Sequence, residues 1–198
     1  MELRLATPDE LRLAYRKDLL SSFPPSELRP LSAMLRQTEE GSYRPRCLFD
    51  GETIVGEAFV QPVAPGWALF DYLCVSAEKR SAGLGSELIA RLRAAEGDSV
   101  LFGESEIPQY APDPALAQRR IGFYLRNGAQ QAGYTSAIFG VPYVTLYWSP
   151  RPLADAELME MHRRAYCGRF SPAMYQKNII IPWDASRGIP EKFRWKEE

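Results

Sequence analysis

The chain has 198 residues, which suits one domain of ordinary size and is ample for a hydrophobic core. It is 45% hydrophobic and 25% charged, with 24 basic residues against 25 acidic ones and a formal charge of −1. That balance argues against a general nucleic-acid binder, and no run approaches the roughly 20 apolar residues that span a bilayer. The first ten residues contain no apolar h-region, so no secretory leader is expected. Cys47, Cys74 and Cys167 are odd in number and widely spaced, which reads as reduced thiols in a cytoplasmic protein. One histidine, His162, and no paired cysteines make a metal site unexpected.

Residues 2–6 alternate like a short strand. Thr7-Pro8-Asp9-Glu10 then fits a capping box, with Thr at N-cap, Pro at N1 and Glu at N3. The helix it opens carries Leu11, Ala14, Tyr15 and Leu19 on one face, and Phe23-Pro24-Pro25 ends it. Ser26 can cap a second helix with Leu28, Leu31, Met34 and Leu35 inward, ending at Gly41. Strand-like stretches at 46–49 and 53–60 flank Asp50-Gly51, a two-residue hairpin signal. Pro62, Pro65 and Gly66 mark the next turn, and the continuous apolar run at 67–75 reads as a buried central strand. Leu84, Leu88, Ile89, Leu92 and Ala95 recur at helical spacing up to Gly97. A strand at 99–107 follows. Asp113 and Pro114 then supply the N-cap and N1 of a helix that ends at Asn127-Gly128. Two strands at 134–139 and 143–149 complete the pattern.

This order predicts a mixed α/β fold, in the α+β sense, with a central, mostly antiparallel sheet flanked by helices. It occupies residues 1–150. Residues 151–198 form a C-terminal extension with a helix at 155–167, whose inner side would be Leu158, Met161 and Ala165. The extension would pack on the domain or on a partner subunit, making a homodimer.

The chemistry concentrates after the apolar strand, in Leu73-Cys74-Val75-Ser76-Ala77-Glu78-Lys79-Arg80-Ser81-Ala82-Gly83-Leu84-Gly85-Ser86. Glycines let backbone reach positive φ and approach a ligand closely. Successive N–H groups at a helix N-terminus, with Arg80 beside them, form a concave anion site whose natural occupant is a diphosphate. A plain strand-to-helix turn is the simpler alternative. A Walker loop is excluded because Gly85 is followed by Ser86-Glu87 rather than Lys-Ser/Thr. A Rossmann fingerprint fits poorly, since Gly83 lies far past Val75 and Leu88 stands where a third small residue is wanted.

Arg-x-x-Gly-x-Gly after an apolar strand resembles the signature of the GNAT acetyltransferases, and the order of elements over residues 1–150 is similar to theirs. Arg119-Arg120-Ile121-Gly122-Phe123-Tyr124-Leu125-Arg126-Asn127-Gly128 also resembles the family's helix with an aromatic-Tyr pair before a glycine. The resemblance implies an N-acetyltransferase that moves acetyl from acetyl-CoA, as cosubstrate, directly to a primary amine of a small molecule or peptide. Arg80, Ser81, Ala82, Gly83, Leu84, Gly85 and Ser86 would hold the pyrophosphate. Leu73, Cys74 and Val75 would pair with the pantetheine arm through their backbone, and an N–H there could polarise the thioester carbonyl. Cys74 would contribute backbone rather than a nucleophile, since no histidine lies near it in sequence.

Tyr124 matches the family's tyrosine that protonates the CoA sulfur; the alternative is a packed aromatic sharing a face with Ile121 and Leu125, with Phe123 in the core. For the base, Glu104 and Glu106 project to one face of a strand, where like charges raise one carboxyl pKa. They could instead bind the ammonium while water relays the proton, or lie solvated on an exposed face. Arg120 stands where many members carry Asn; it would reach the CoA phosphates or be solvated. The amine-binding surface would include Phe23, Glu27 and Tyr43, although Phe23 could simply pack the helix turn and Glu27 compensate a helix dipole. His162 reads as a surface residue of the extension's helix. A CoA-binding module without catalysis is the competing reading. The acceptor itself is not legible, because substrate choice lies outside these motifs.

Overall fold

The computed structural model describes residues 1–25, 27–80, 83–189 and 191. The strand order is β1-β2-β3-β4-β5-β7-β6-β8, a mixed sheet whose β4–β5 pairing is parallel and whose other recorded registers are antiparallel. The fold is therefore mixed α/β with a mostly antiparallel sheet. The chain divides into two compact units, the first including Met1–Pro62 and Phe70–Gly97, the second Val63–Leu69 with Asp98–Phe193.

In the first unit, β1 (Glu2–Leu5) leads into α1 (Pro8–Ala14), where both halves of the Thr7–Glu10 capping box are made. A π-helical turn over Tyr15–Leu19 and a last turn, α2 (Leu20–Ser22), carry the helix to Phe23. The π turn brings Asp18 inward beside Leu19, and the buried Asp18 carboxylate accepts from the Ser76 hydroxyl at 2.9 Å. The next helix, α3 (Leu31–Glu39), starts later than the reading from Ser26 requires. Pro30 is its N-cap, and a proline keeps the residue before it out of the helical region. Ser26 itself lies outside the described residues.

Strands β2 (Arg44–Asp50), β3 (Thr53–Ala64) and β4 (Trp67–Val75) follow. Asp50 pairs with Thr53, so the hairpin loop is Gly51-Glu52, one residue later than Asp50-Gly51; Gly51 supplies the positive φ of 61°. The core of this unit joins Leu11, Leu19, Met34, Tyr43, Phe59 and Tyr72. Helix α4 (Leu84–Glu96) packs on β3 where Gly56 leaves no Cβ; one added there would stand 3.1 Å from the Cys74 carbonyl and 3.3 Å from Leu88. Glu96 ends α4 with a carboxylate whose side chain is only 2% exposed, at the end of the helix where negative charge is disfavoured. Arg44 at 2.7 Å and Arg46 at 3.0 Å, both from β2, offset that and fasten the helix to the sheet. A third buried acid, Glu57 on β3, accepts from the Cys74 thiol at 2.8 Å, and burial above all pushes its carboxyl pKa up to about 8.

In the second unit, β5 (Val100–Glu106) runs parallel to Trp67, Ala68 and Leu69 and pairs antiparallel with β7 (Val141–Trp148) from Leu101 to Glu106. Helix α5 (Pro114–Arg126) begins as read, with Asp113 accepting from the Leu116 amide at 2.9 Å. Strand β6 (Gln130–Ile138) starts four residues before the expected 134. In the extension, α6 (Asp155–Tyr166) buries Leu158, His162, Ala165 and Tyr166. Met161 is only half-buried, so the inner face is turned from the one read off the apolar residues, and His162 is not a surface residue. After α7 (Pro172–Asn178), the β-branched run Ile179-Ile180-Ile181 forms β8 (Ile179–Trp183), which adds an unforeseen antiparallel strand to β6.

Two buried acids generate predictions. Glu96→Ala strands the Arg44 and Arg46 guanidiniums and should cost about 1–3 kcal/mol in urea unfolding, the exposure of Arg44 keeping the figure modest. An unchanged midpoint would show that the two pairs contribute nothing. For Glu57, the folded chain holds a proton up to about pH 8, whereas the unfolded chain releases it near the ordinary value of 4.5. The native state therefore binds more protons between these limits, and stability falls as pH rises through that window, by at most about 1.4 kcal/mol per pH unit. Glu57→Gln should lack this slope, so its advantage in chemical unfolding should grow from about pH 5 to about pH 8; parallel curves would contradict the assignment.

Candidate active site

In the sheet β4 lies between β3 and β5, and its parallel register with β5 covers Trp67, Ala68 and Leu69, before the strand's last residues. Tyr72 and Cys74 turn into the core while Leu73 and Val75 are half-buried, the alternation expected of a strand with one covered face. A short 3₁₀ turn over Ala77–Lys79 leads to Arg80. Ser81 and Ala82 lie outside the described residues. Gly83 is then the N-cap of α4 in the left-handed region at φ 78°, with nothing within 4 Å of the place a Cβ would take. Backbone conformation, rather than space, requires glycine there.

The amides of Ser86 and Glu87 both donate to the Gly83 carbonyl, at 3.1 and 3.3 Å. Those of Leu84 and Gly85 precede these first helical bonds, at the positive end of a 13-residue helix. Arg80 stands exposed beside this turn, with Nε donating to the Val75 carbonyl at 3.1 Å and Nη2 to Ser22 at 3.2 Å. A cation is thus tethered between the end of β4 and the start of α4. Such a turn can take a diphosphate.

The setting of Cys74 disfavours its thiolate. Its thiol is buried against Glu57, and desolvation first, then the acid, raise its pKa well above the usual thiol value. Phe23 packs edge-on against Tyr72 with centroids 4.9 Å apart. Glu27 is half-buried, and its carbonyl accepts from the Tyr72 hydroxyl at 2.7 Å; it does not open a helix, since α3 starts at Leu31. Tyr43 is 1% exposed and belongs to the core rather than to an early helix.

One cluster escaped the sequence reading. Arg29 places Nε 3.0 Å from Asp71 Oδ2, Nη1 3.2 Å from Gln37 and Nη2 2.8 Å from Gln61, and the Tyr43 hydroxyl donates to the same Asp71 oxygen at 2.8 Å. The available signal was Asp71 itself, the lone acid inside an otherwise apolar strand.

In the second unit, Tyr124 is buried on α5, edge-on to Trp148 at 6.1 Å. It shares its inner face with Ile121 and Ala117; Leu125 is 42% exposed and Phe123 only half-buried, so neither belongs to the core as expected. The two acids of β5 are neither solvated nor left to each other. Glu106 meets Arg120 at 3.4 Å, which also corrects the reading of Arg120 as a free or phosphate-seeking cation. Glu104 lies 2.6 Å from His162 Nε2 and accepts from the Tyr166 hydroxyl at 2.8 and 3.0 Å. Sequence distance hid these partners, for they come from the extension's helix.

No protein-family model matches the chain. It is 32% identical over 103 residues to "Putative acetyltransferase YjbC" of Bacillus subtilis (strain 168), a match that covers 48% of this chain and 52% of that protein. The chain thus spans about half the length of the curated relative it matches. Among solved structures, "Putative acetyltransferase from GNAT family from Bacteroides thetaiotaomicron" superposes with a TM-score of 0.68 at 18% identity, covering 84% of this chain and 97% of that one. An aminoglycoside 6'-N-acetyltransferase complexed with coenzyme A superposes with a TM-score of 0.56 at 14% identity, covering 77% and 100%. From the capped first helix through the glycine-started α4 to the paired strands β6 and β7, the fold of this chain is that of the GNAT acetyltransferases.

Proposed function

We propose that the chain is an N-acetyltransferase that moves acetyl from acetyl-CoA directly to a primary amine of a small molecule or peptide. One observation carries the reading: strand β4, whose register with β5 covers Trp67, Ala68 and Leu69, runs on into a helix started by a left-handed glycine, with an arginine hydrogen-bonded to the strand's last carbonyl. Strand backbone beyond that register suits the amides of a pantetheine arm, and the helix start suits its pyrophosphate. The acetyltransferase name of the Bacillus subtilis relative and the coenzyme A held by a structural neighbour support the same chemistry.

In this reading the backbone of Leu73, Cys74 and Val75 takes the pantetheine and polarises the thioester carbonyl, while Arg80, Ser81, Ala82, Gly83, Leu84, Gly85 and Ser86 take the diphosphate. The neutral amine attacks the carbonyl carbon, the C–N bond forms as the C–S bond breaks, and the thiolate leaves with a proton from Tyr124. A base must first remove a proton from the ammonium. Glu104 is the better candidate, since Glu106 is tied to Arg120. Phe23 and Glu27 are proposed for acceptor contacts. Three free cysteines fit a reducing, cytoplasmic setting, and no described helix is long and apolar enough to cross a membrane.

Thiol release from acetyl-CoA over a panel of amines tests the proposal. The native chain should turn over at least one amine. Tyr124→Phe should lower kcat by about 10–100-fold with little change in KM for acetyl-CoA, and Arg80→Ala should raise that KM several-fold. Binding of acetyl-CoA without turnover of any amine would contradict catalysis and leave a CoA-binding module. Absence of a thermal shift with CoA would contradict both.

A further inference from the structure

The extension brings the chain's one histidine under the sheet, against the carboxylate of β5. His162 has no exposed surface. Its ring lies edge-on to Phe102 at 5.6 Å and within 6.0 Å of both the Tyr134 and Tyr166 rings. Nδ1 faces the Tyr134 hydroxyl at 3.1 Å and Thr145 Oγ1 at 3.5 Å.

These distances constrain where the protons of a neutral ring can lie. A gap of 2.6 Å between Nε2 and Glu104 Oε1 needs a proton between them, because two lone pairs so close repel. With the proton on Nε2, Nδ1 is the acceptor, and the Tyr134 hydroxyl is the donor that faces it. Burial raises the Tyr134 pKa, so that donor keeps its proton. Tyr166 gives its own hydroxyl hydrogen to Glu104. Glu104 is thus held by two donors from α6, and α6 is held by two hydroxyl-bearing strands, β6 and β7.

Within this group the carboxylate is the exposed member. His162, Tyr134 and Tyr166 are buried, whereas the Glu104 side chain keeps 15% of its surface. An ionised carboxylate with its back fixed by buried donors and one side open is the arrangement that receives a cation or its proton. Packing alone would be served by a leucine at 162 and a phenylalanine at 166.

We propose that His162 and Tyr166 are positioning residues for Glu104, so that the C-terminal extension completes the acceptor side of the reaction. The inference rests on the N-acetyltransferase reading and on Glu104 as the group that meets the acceptor's ammonium. In the step it serves, an ammonium N–H bond breaks, its proton goes to the remaining lone pair of Glu104 Oε2, and the freed electron pair attacks the acetyl carbonyl carbon. The Nε2–H and Tyr166 O–H bonds to Glu104 stay in place throughout. The other charged or titratable groups around the ring are Tyr134 itself, with Asp155 and Arg163 acting on it through space.

The single histidine makes the pair directly observable. Imidazole ¹⁵N shifts of the native chain should show the Nε2–H tautomer, and Glu104→Gln should change the ring's pH titration; an Nδ1–H tautomer, or a titration indifferent to residue 104, would overturn the pairing. That measurement needs no amine. If the native chain turns over no amine while the NMR result holds, it is the acetyltransferase reading that has failed. With a turned-over amine, Tyr166→Phe removes one donor at nearly constant volume. It should lower kcat/KM for the amine several-fold and move the acidic limb of its pH profile up by roughly half to one unit, leaving KM for acetyl-CoA unchanged. His162→Leu should cost about 10-fold or more in the same parameter, and His162→Gln, which restores a donor, should recover most of it. If His162→Leu does not fold, Tyr166→Phe decides: an amine profile identical to native would reduce α6 to a cover.

Discussion

Strand backbone at the end of β4, beyond its register with β5, is the constraint on which the rest of the proposed chemistry depends. A strand edge carries a row of donors and acceptors that must find partners, and proteins commonly blunt such edges. Here the strand's last residues bear no proline or lysine, and they run directly into the turn that starts α4. Arg80 closes only one acceptor, the Val75 carbonyl. A ligand that is itself an extended chain of amides ending in a diphosphate matches this geometry along its whole length, which is why the strand end and the helix start argue together for more than either does alone.

Three carboxylates of the chain are held in three different ways. Glu96 stays paired with two arginines and fastens the helix whose N-terminus forms the loop. Glu57 has a thiol for its hydrogen-bond partner and Asp18 for a neighbour, and burial drives it toward the protonated form. Glu104 sits between these cases, partly open and held by neutral donors from α6. Only the third combines a fixed carboxylate with a side left open. The second also disfavours the Cys74 thiolate, because burial first, and the neighbouring acid next, raise the thiol's pKa.

Much of the fold is legible in the sequence because its signals are local. The Thr7–Glu10 box, the Asp113-Pro114 start of α5 and the left-handed Gly83 each depend on residues a few positions apart, and each forms as read. The misreadings share a cause as well. Pro30 overrides Ser26 as a helix start because the restriction on the residue before proline is steric. In α6, hydrophobic periodicity selects Met161, whereas the buried position is His162, whose partners come from β5, β6 and β7. Polar pairings across 58 or more residues of sequence, such as those of Glu104, leave no periodic trace. Asp71 is the exception that could have been noticed, since an acid within a run of buried apolar residues needs a partner, and Arg29 is that partner.

The cofactor half of the proposal is thus visible in short motifs, whereas the partners of Glu104 come from distant residues. Hydrogen exchange with and without CoA tests the cofactor half most directly, because it reads the backbone amides on which the proposal depends. Bound CoA should slow exchange at residues 83–87 and at 73–75, and Arg80→Ala should weaken that protection. Protection confined to other segments, or none at saturating CoA, would contradict the assignment of this strand end and helix start to the cosubstrate.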